Sequence, residues 1–386
     1  MDTKNMTPRF DEQRLVRVGE TIRRDIEDRK CHGAALRVAG KDGVILDLIE
    51  GHVDREARRR LSQDSVFCTL SVAKQFTNVL ALSLVERGLL RLHAPIAELL
   101  PQFRAPGHEK INLWHLLTHT SGICSAFPRV PPEVVCSIEQ LTNFAASQQL
   151  ESLPGERVNY SICVVHSLIA ALCLRADGRG RTYSQMLEEE IFAPLKMRDT
   201  SLGLRKDLEA RYCPVKAAWS GGGVLPPETV EGMNLLMRMP GAEIPGGGAV
   251  STMEDLFRFV EMLRNRGELD GARILSPAMI EYASRNQTGD LRMVLMDPIL
   301  SSRNWLPTPA HIGLGFFVRG EGIIPGPFGV LNSPHSIAGM GAGGTAFWVD
   351  PQRNLSFTFL STGLMESSRS QERLGILSDL VLAAIV

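Results

Sequence analysis

The sequence predicts an α+β fold, an antiparallel sheet flanked by the terminal helices and interrupted by a helical insertion. Three observations carry this reading. A helix pattern and two strand patterns open the chain, helical patterns fill its middle, and strand patterns followed by a helix close it. We expect residues 1–70 to form the first part of the α/β portion, 71–240 a mostly helical insertion, and 241–386 the second part.

Each element has its own local reason. Leu15, Val18, Ile22 and Ile26 recur at helical spacing, which predicts an amphipathic helix over 10–29. AALRVAG and VILDLIEG flank an Asp-Gly turn, the signal for a β-hairpin. DREARRR (54–60) reads as a solvated loop. SVAKQFTNVLALSLVERG, from Ser71 to Gly88, is a long apolar helix, and VHSLIAALCLRA and YSQMLEEEIFAPL give further helices. STMEDLFRFVEMLRNRG begins with Ser251 or Thr252 as N-cap and acidic residues just behind it. GLGFFVRG, TAFWVD and LSFTFLST, with a turn at Pro351–Asn354, predict an antiparallel meander, and residues 370–385 a closing helix. Segments 217–247 and 286–311, rich in Gly, Pro and Met, exceed ordinary connections and read as lids or binding loops.

Composition narrows the function class. Lys+Arg 42 against Asp+Glu 43 leaves a net charge of −1, which argues against a nucleic-acid partner. No apolar run approaches the ~18 residues of a membrane span, and the first twenty residues lack the apolar core of a secretion signal. A cytoplasmic protein is therefore expected. The seven cysteines are dispersed and include no CxxC, so we expect reduced, mostly buried thiols, no metal and no cofactor. Cys68 reads as a small core residue.

Among catalytic signatures, GxSxG, HExxH and the P-loop pattern are all absent. Gly339-Met340-Gly341-Ala342-Gly343-Gly344 matches GxGxxG but leads into a strand pattern, whereas a dinucleotide loop leads into a helix. Glycines that let a ligand approach a strand edge fit better. The sharper signal is Ser71-Val72-Ala73-Lys74 at the head of a long apolar helix. The i, i+3 spacing puts hydroxyl and amine on one face, and the helix start leaves backbone N–H groups free. A lysine has a reference pKa of about 10.4 and is protonated at neutral pH; bringing it near 7 requires burial or nearby positive charge that favours the neutral amine by roughly 4–5 kcal/mol.

The segment from SVFCTLSVAKQFTNV onward resembles the serine β-lactamase/penicillin-binding-protein superfamily, in the class C β-lactamase-like branch of family VIII carboxylesterases and transesterases. The likeness continues through INLWHLLTHTSGI, PGERVNYS, IFAPLKMRDTSLG, GGGAVSTMEDLF and GMGAGGTAFWVDP, in the same order. It implies a β-lactamase-like fold and a serine hydrolase working through an acyl-enzyme on a small-molecule carboxylic ester, with acyl transfer to another acceptor as a variant. It implies Ser71 as nucleophile, with Lys74 and Tyr160 as proton partners, either of which can serve as base. The amides of Ser71 and Ala342 would form the oxyanion hole, with Ile162, Gly339, Met340 and Gly341 contacting substrate.

Two positions depart from the family pattern. The usual Tyr-x-Asn reads Tyr160-Ser161-Ile162, and the Lys-Thr-Gly of β-lactamases reads Gly339-Met340-Gly341. Losing the amide and the cation favours an ester of an apolar or bulky acid over a β-lactam. β-Lactamase or D-amino-acid peptidase activity, and a non-catalytic small-molecule binder, are the alternatives. His335 is a candidate substitute cation, though a loop histidine without a role is the simpler reading. His119 reads as structural, and Trp219, Trp305 and Met237 could line an acyl pocket or pack in the core.

Overall fold

The computed structural model describes residues 8–386 apart from 55, 57, 58 and 221–224. Its main sheet forms because the two ends of the chain pair with each other. The strand Gly33–Gly40 lies antiparallel to Leu355–Thr362, with Gly33 opposite Thr362 and Ala39 opposite Ser356. The Asp-Gly hairpin supplies Gly43–Asp54 on its other side, with Gly43 at φ +114° where a side chain would be strained. The full order of the seven strands is Phe317–Val318, Ile337–Gly341, Thr345–Asp350, Leu355–Thr362, Gly33–Gly40, Gly43–Asp54 and Arg59–Arg60, all antiparallel.

Strand alternation divides the core in two. Ala34, Leu36, Val38, Trp348, Phe357 and Phe359 face the terminal helices Glu12–Glu27 and Ser367–Leu382, which bury Val18, Ile22, Leu374 and Val381 on them. Trp348 keeps its polar atom satisfied by donating from Nε1 to Ser378 Oγ at 2.9 Å. Ala35, Phe347, Val349 and Leu360 face the opposite way, onto the helix Met253–Arg264 and the larger core of the helical region. The helix Ala73–Glu86 runs through that core with every residue from Ala73 to Leu82 buried, which marks a central helix rather than a surface one. Phe76 meets Phe192 and Phe259 edge-on, at centroid distances of 5.2 and 4.8 Å.

Several expectations change in detail. Of GLGFFVRG only Phe317–Val318 is a strand. The glycines before it serve close approach: a Cβ on Gly313 would lie 2.1 Å from Ala283 O, and Gly315 sits at φ +87° with its carbonyl accepting from Asn78 Nδ2. The basic run 54–60 is not wholly a solvated loop. Arg59 and Arg60 add an edge strand, and the Arg59 guanidinium donates to the carbonyls of Ala210 and Tyr212. Short strands at Val66–Cys68, Ser201–Leu202, Tyr212–Cys213 and Ala249–Ser251 form a second sheet that no periodicity announces. Segments 217–247 and 286–311 contain the helices Pro227–Leu236 and Asp297–Ser302. No helix among the described residues is long and apolar enough to cross a membrane.

Asp350 closes the last hairpin. It is fully buried and accepts from Ser333 N and Oγ, Gln352 N and Arg353 N and Nη1. Asp350→Ala strands these donors, and we expect a loss of about 3 kcal/mol, measured by urea unfolding.

Candidate active site

The second sheet fixes where Ser71 stands. Strand Val66–Cys68 ends at Thr69, whose N–H and Oγ1 both donate to Ala249 O, at 2.9 and 3.0 Å. Thr345, across on the main sheet, donates from Oγ1 to Thr69 O at 2.9 Å. Between these anchors and the helix, Leu70 takes φ +48°, a left-handed conformation that costs a side-chain-bearing residue roughly 1–2 kcal/mol. The kink delivers Ser71 into a single 3₁₀ turn, Leu70–Val72, just ahead of the helix Ala73–Glu86.

One turn on, Lys74 is 1% exposed. Its Nζ lies 3.0 Å from Ser71 Oγ, 2.7 Å from Ile162 O and 2.5 Å from Gly246 O. Burial pushes the amine down to about 7, so it exchanges its proton near neutral pH. In the neutral form its two N–H bonds satisfy the two carbonyls, and the remaining lone pair is directed at the serine hydroxyl. The geometry suits proton abstraction from Ser71.

Tyr160 completes the group. Its ring lies 5.3 Å from Lys74 Nζ, and burial pushes its hydroxyl up to about 12 while a hydrogen bond with Ser71 pulls the other way. It is therefore a protonated phenol at neutral pH and a proton donor. His119 stacks on it at 4.3 Å with the planes inclined by 27°. His119 Nδ1 accepts from Ser161 N at 3.2 Å, and burial followed by the nearby Lys74 charge pushes this ring down to about 3. A neutral ring held this way orients Tyr160 and takes no part in proton exchange near pH 7. The neighbouring backbone is pinned by Asn159 N donating to His119 O and Ile162 N to Ser125 O.

Ser71, Tyr160, Ile162, Met340, Gly341 and Ala342 all line one cleft of about 1090 Å³, part of it open to solvent. The Ala342 amide lies beyond the end of its strand and has no acceptor among the described residues. Ser71 stands in the first turn, where amides lack intrahelical acceptors. Gly341 is there for space, since a Cβ would sit 2.1 Å from Thr345 Oγ1, 2.8 Å from Thr69 O and 3.0 Å from Leu70 Cβ. Gly339 does not reach the cleft; its missing side chain instead makes room for Phe347 and Gln75. His335 is exposed and also outside the cleft.

Trp219, Trp305 and Met237 are not cleft residues either. Met237 is buried in the helical core, Trp219 packs against it, and Trp305 lies under the Arg303 guanidinium. The apolar wall comes instead from Leu295, Met296, Ile299, Pro309, Phe317 and Phe328. Four of these lie in the Met- and Pro-rich stretch 286–311, where unusual loop length was the only clue. Among the described lining residues none is charged. Sequence reasoning also missed Gly246 and the backbone role of Ile162, the two carbonyls on Lys74. A smaller cavity of about 450 Å³ also opens on Ser71 and Ala342, lined by Phe127, Val230, Met233 and Ile244.

The family described as Beta-lactamase matches residues 18–379. The Esterase/beta-lactamase LipL of Mycobacterium tuberculosis is 25% identical over 362 residues, covering 87% of this chain and 78% of that protein. Esterase EstB of Burkholderia gladioli is 28% identical over 334 residues, covering 75% and 80%. The structure described as EstCE1, a hydrolase with promiscuous acyltransferase activity, superposes with a TM-score of 0.77 at 20% identity, covering 96% of this chain and 99% of that one.

Gly341→Ala forces the strand and the serine turn apart. We expect a fall of about 10²-fold in kcat/KM, read with an activated ester, while the circular dichroism spectrum stays that of the parent.

Proposed function

The chain belongs to the Beta-lactamase family, and within it we propose that this protein is a serine esterase that forms an acyl-enzyme on Ser71. The observation that carries the reading is the buried Lys74 amine, with two carbonyls on its N–H bonds and the serine hydroxyl on its third side. A binding scaffold has no use for an amine held at this cost. The names of LipL, EstB and EstCE1 point the same way.

The steps follow from the proton positions. Neutral Lys74 takes the Ser71 proton as Oγ attacks the ester carbonyl, and the Ser71 and Ala342 amides hold the oxyanion. Tyr160 gives its proton to the departing alkoxide and is refilled from the Lys74 ammonium. The alcohol leaves and the acyl group stays on Ser71. Water then attacks with the same groups working in reverse, and an alcohol in its place gives acyl transfer. The assignment of Lys74 as base and Tyr160 as acid rests on burial, which lowers the amine and raises the phenol.

Tyr160 lines the larger cleft and not the smaller cavity. Because Tyr160 must reach the leaving oxygen, the alcohol portion belongs in the larger cleft and the acyl portion in the smaller cavity. The uncharged lining of the cleft favours a neutral ester, since a carboxylate such as a β-lactam carries would enter without a countercharge.

Three measurements test this. Intact mass after fluorophosphonate treatment is expected to show one adduct that Ser71→Ala abolishes; an adduct that persists in the variant sinks the proposal, and so does no adduct with no ester turnover. The kcat/KM profile on an uncharged ester should rise with pH through a midpoint of about 7, because the deprotonated amine is the active form. It should then stay flat up to about pH 10, because Tyr160 keeps its proton. A profile still rising at pH 10 would remove Lys74 from the role of base. Nitrocefin turnover matching ester turnover would overturn the preference against β-lactams.

A further inference from the structure

Apart from Ser71, Tyr160 and Thr308, the polar side chains lining the cleft come from the C-terminal helix, and the esterase chemistry leaves them unused. The C-terminal helix Ser367–Leu382 presents Ser370 and Gln371 to the cleft wall. Ser370 is 1% exposed and Gln371 4%. Ser370 Oγ and Gln371 Oε1 are buried without a hydrogen-bond partner among the described residues. An unpaired buried polar atom destabilises the fold, so two of them on residues of one cavity wall call for a reason. The Gln371 amide nitrogen is engaged, donating to Met296 Sδ at 3.5 Å, and Met296 itself lines the cleft. That leaves the glutamine oxygen as an acceptor beneath a flexible, unbranched thioether that can move aside.

Arg373, two residues further along the helix, is engaged elsewhere. Arg373 Nη2 donates to Gly343 O and Ser361 Oγ, and the guanidinium lies 4.9 Å over the Phe359 ring, outside the cleft lining. The polar stretch is thus neutral, offering one acceptor on Gln371 and one hydroxyl on Ser370 that can donate or accept. A primary amide or a hydroxyl is the complementary group. An amide N–H would meet Gln371 Oε1 while its carbonyl accepts from Ser370 Oγ.

Resting on the esterase reading above, we propose that Ser370 and Gln371 form a specificity subsite. It recognises an uncharged hydrogen-bond donor, an amide N–H or a hydroxyl, on the alcohol portion of the ester. The site would thereby regain, from the C-terminal helix, polar recognition absent at Ile162 and Met340. An ester of a purely apolar alcohol leaves both atoms unpaired and is the poorer substrate.

The test compares butanoate esters of two alcohols, 1-hexanol and 6-hydroxyhexanamide, with released butanoate quantified by chromatography. We expect the wild type to favour the amide ester by about tenfold or more in kcat/KM, the worth of one or two well-made hydrogen bonds. Gln371→Met should bring the ratio of the two esters close to one, and Ser370→Ala should lower it partway. Ser370→Ala removes an unpartnered hydroxyl, so its thermal midpoint should not fall, which keeps that variant informative if Gln371→Met folds poorly. Equal turnover of the two esters by wild type, or a ratio that neither variant moves, overturns the subsite while leaving Ser71-dependent hydrolysis intact. Hydrolysis of both esters that survives Ser71→Ala overturns the esterase reading instead.

Discussion

A primary amine sealed inside the helical core is the constraint around which the site is arranged. Lowering Lys74 from its ordinary value to about 7 corresponds to about 5 kcal/mol in favour of the neutral form. Burial supplies this, and burial is possible because two backbone carbonyls, Ile162 O and Gly246 O, receive the N–H bonds that water would otherwise take. Those carbonyls come from distant parts of the chain. The Tyr160 segment, the Gly246 turn and the serine helix must therefore all be in place before the amine is dry.

In the unfolded chain the lysine keeps its proton up to about pH 10.4, whereas in the folded protein it releases it near 7. Between those values the unfolded state binds more protons, so this residue's contribution to stability increases as pH rises across the window. It is lowest below 7, where a charged ammonium has to be buried. The left-handed Leu70 adds a second local strain beside the first. Both are sustained by the clamp of Thr69 and Thr345 between the two sheets, so the small second sheet is what lets a strained turn persist at Ser71.

What was legible in the sequence follows how local each determinant is. Ser71 and Lys74 share a helical face, and one turn of periodicity reveals that. The hairpin at Gly43 and the meander ending at Thr362 carry turn residues and alternation that announce themselves. The carbonyl partners of Lys74 lie 88 and 172 residues away in sequence, and any residue type can offer a carbonyl, so composition holds no trace of them. The strand expected over GLGFFVRG shrinks to Phe317–Val318 because its glycines accommodate Ala283 and Asn78, contacts that alternation does not encode. The cleft wall at Leu295, Met296, Ile299 and Pro309 has no period at all, and large aromatic residues such as Trp219 and Trp305 do not mark it.

The departures from the family pattern form one consistent set. Where β-lactamases of this family carry the lysine of the third motif, Gly339 stands here, so no cation in that place helps to lower Lys74. Desolvation alone lowers it, against a small opposing effect of Cys163. An amine tuned only by dryness is sensitive to what enters beside it. An anionic substrate would draw the proton back onto Lys74 and disable it, whereas a neutral ester excludes water and leaves the amine free. The uncharged cleft, the apolar Ile162 and the loss of the cation at Gly339 all act in that one direction. Polar discrimination in such a site has to come from neutral groups set back from the amine.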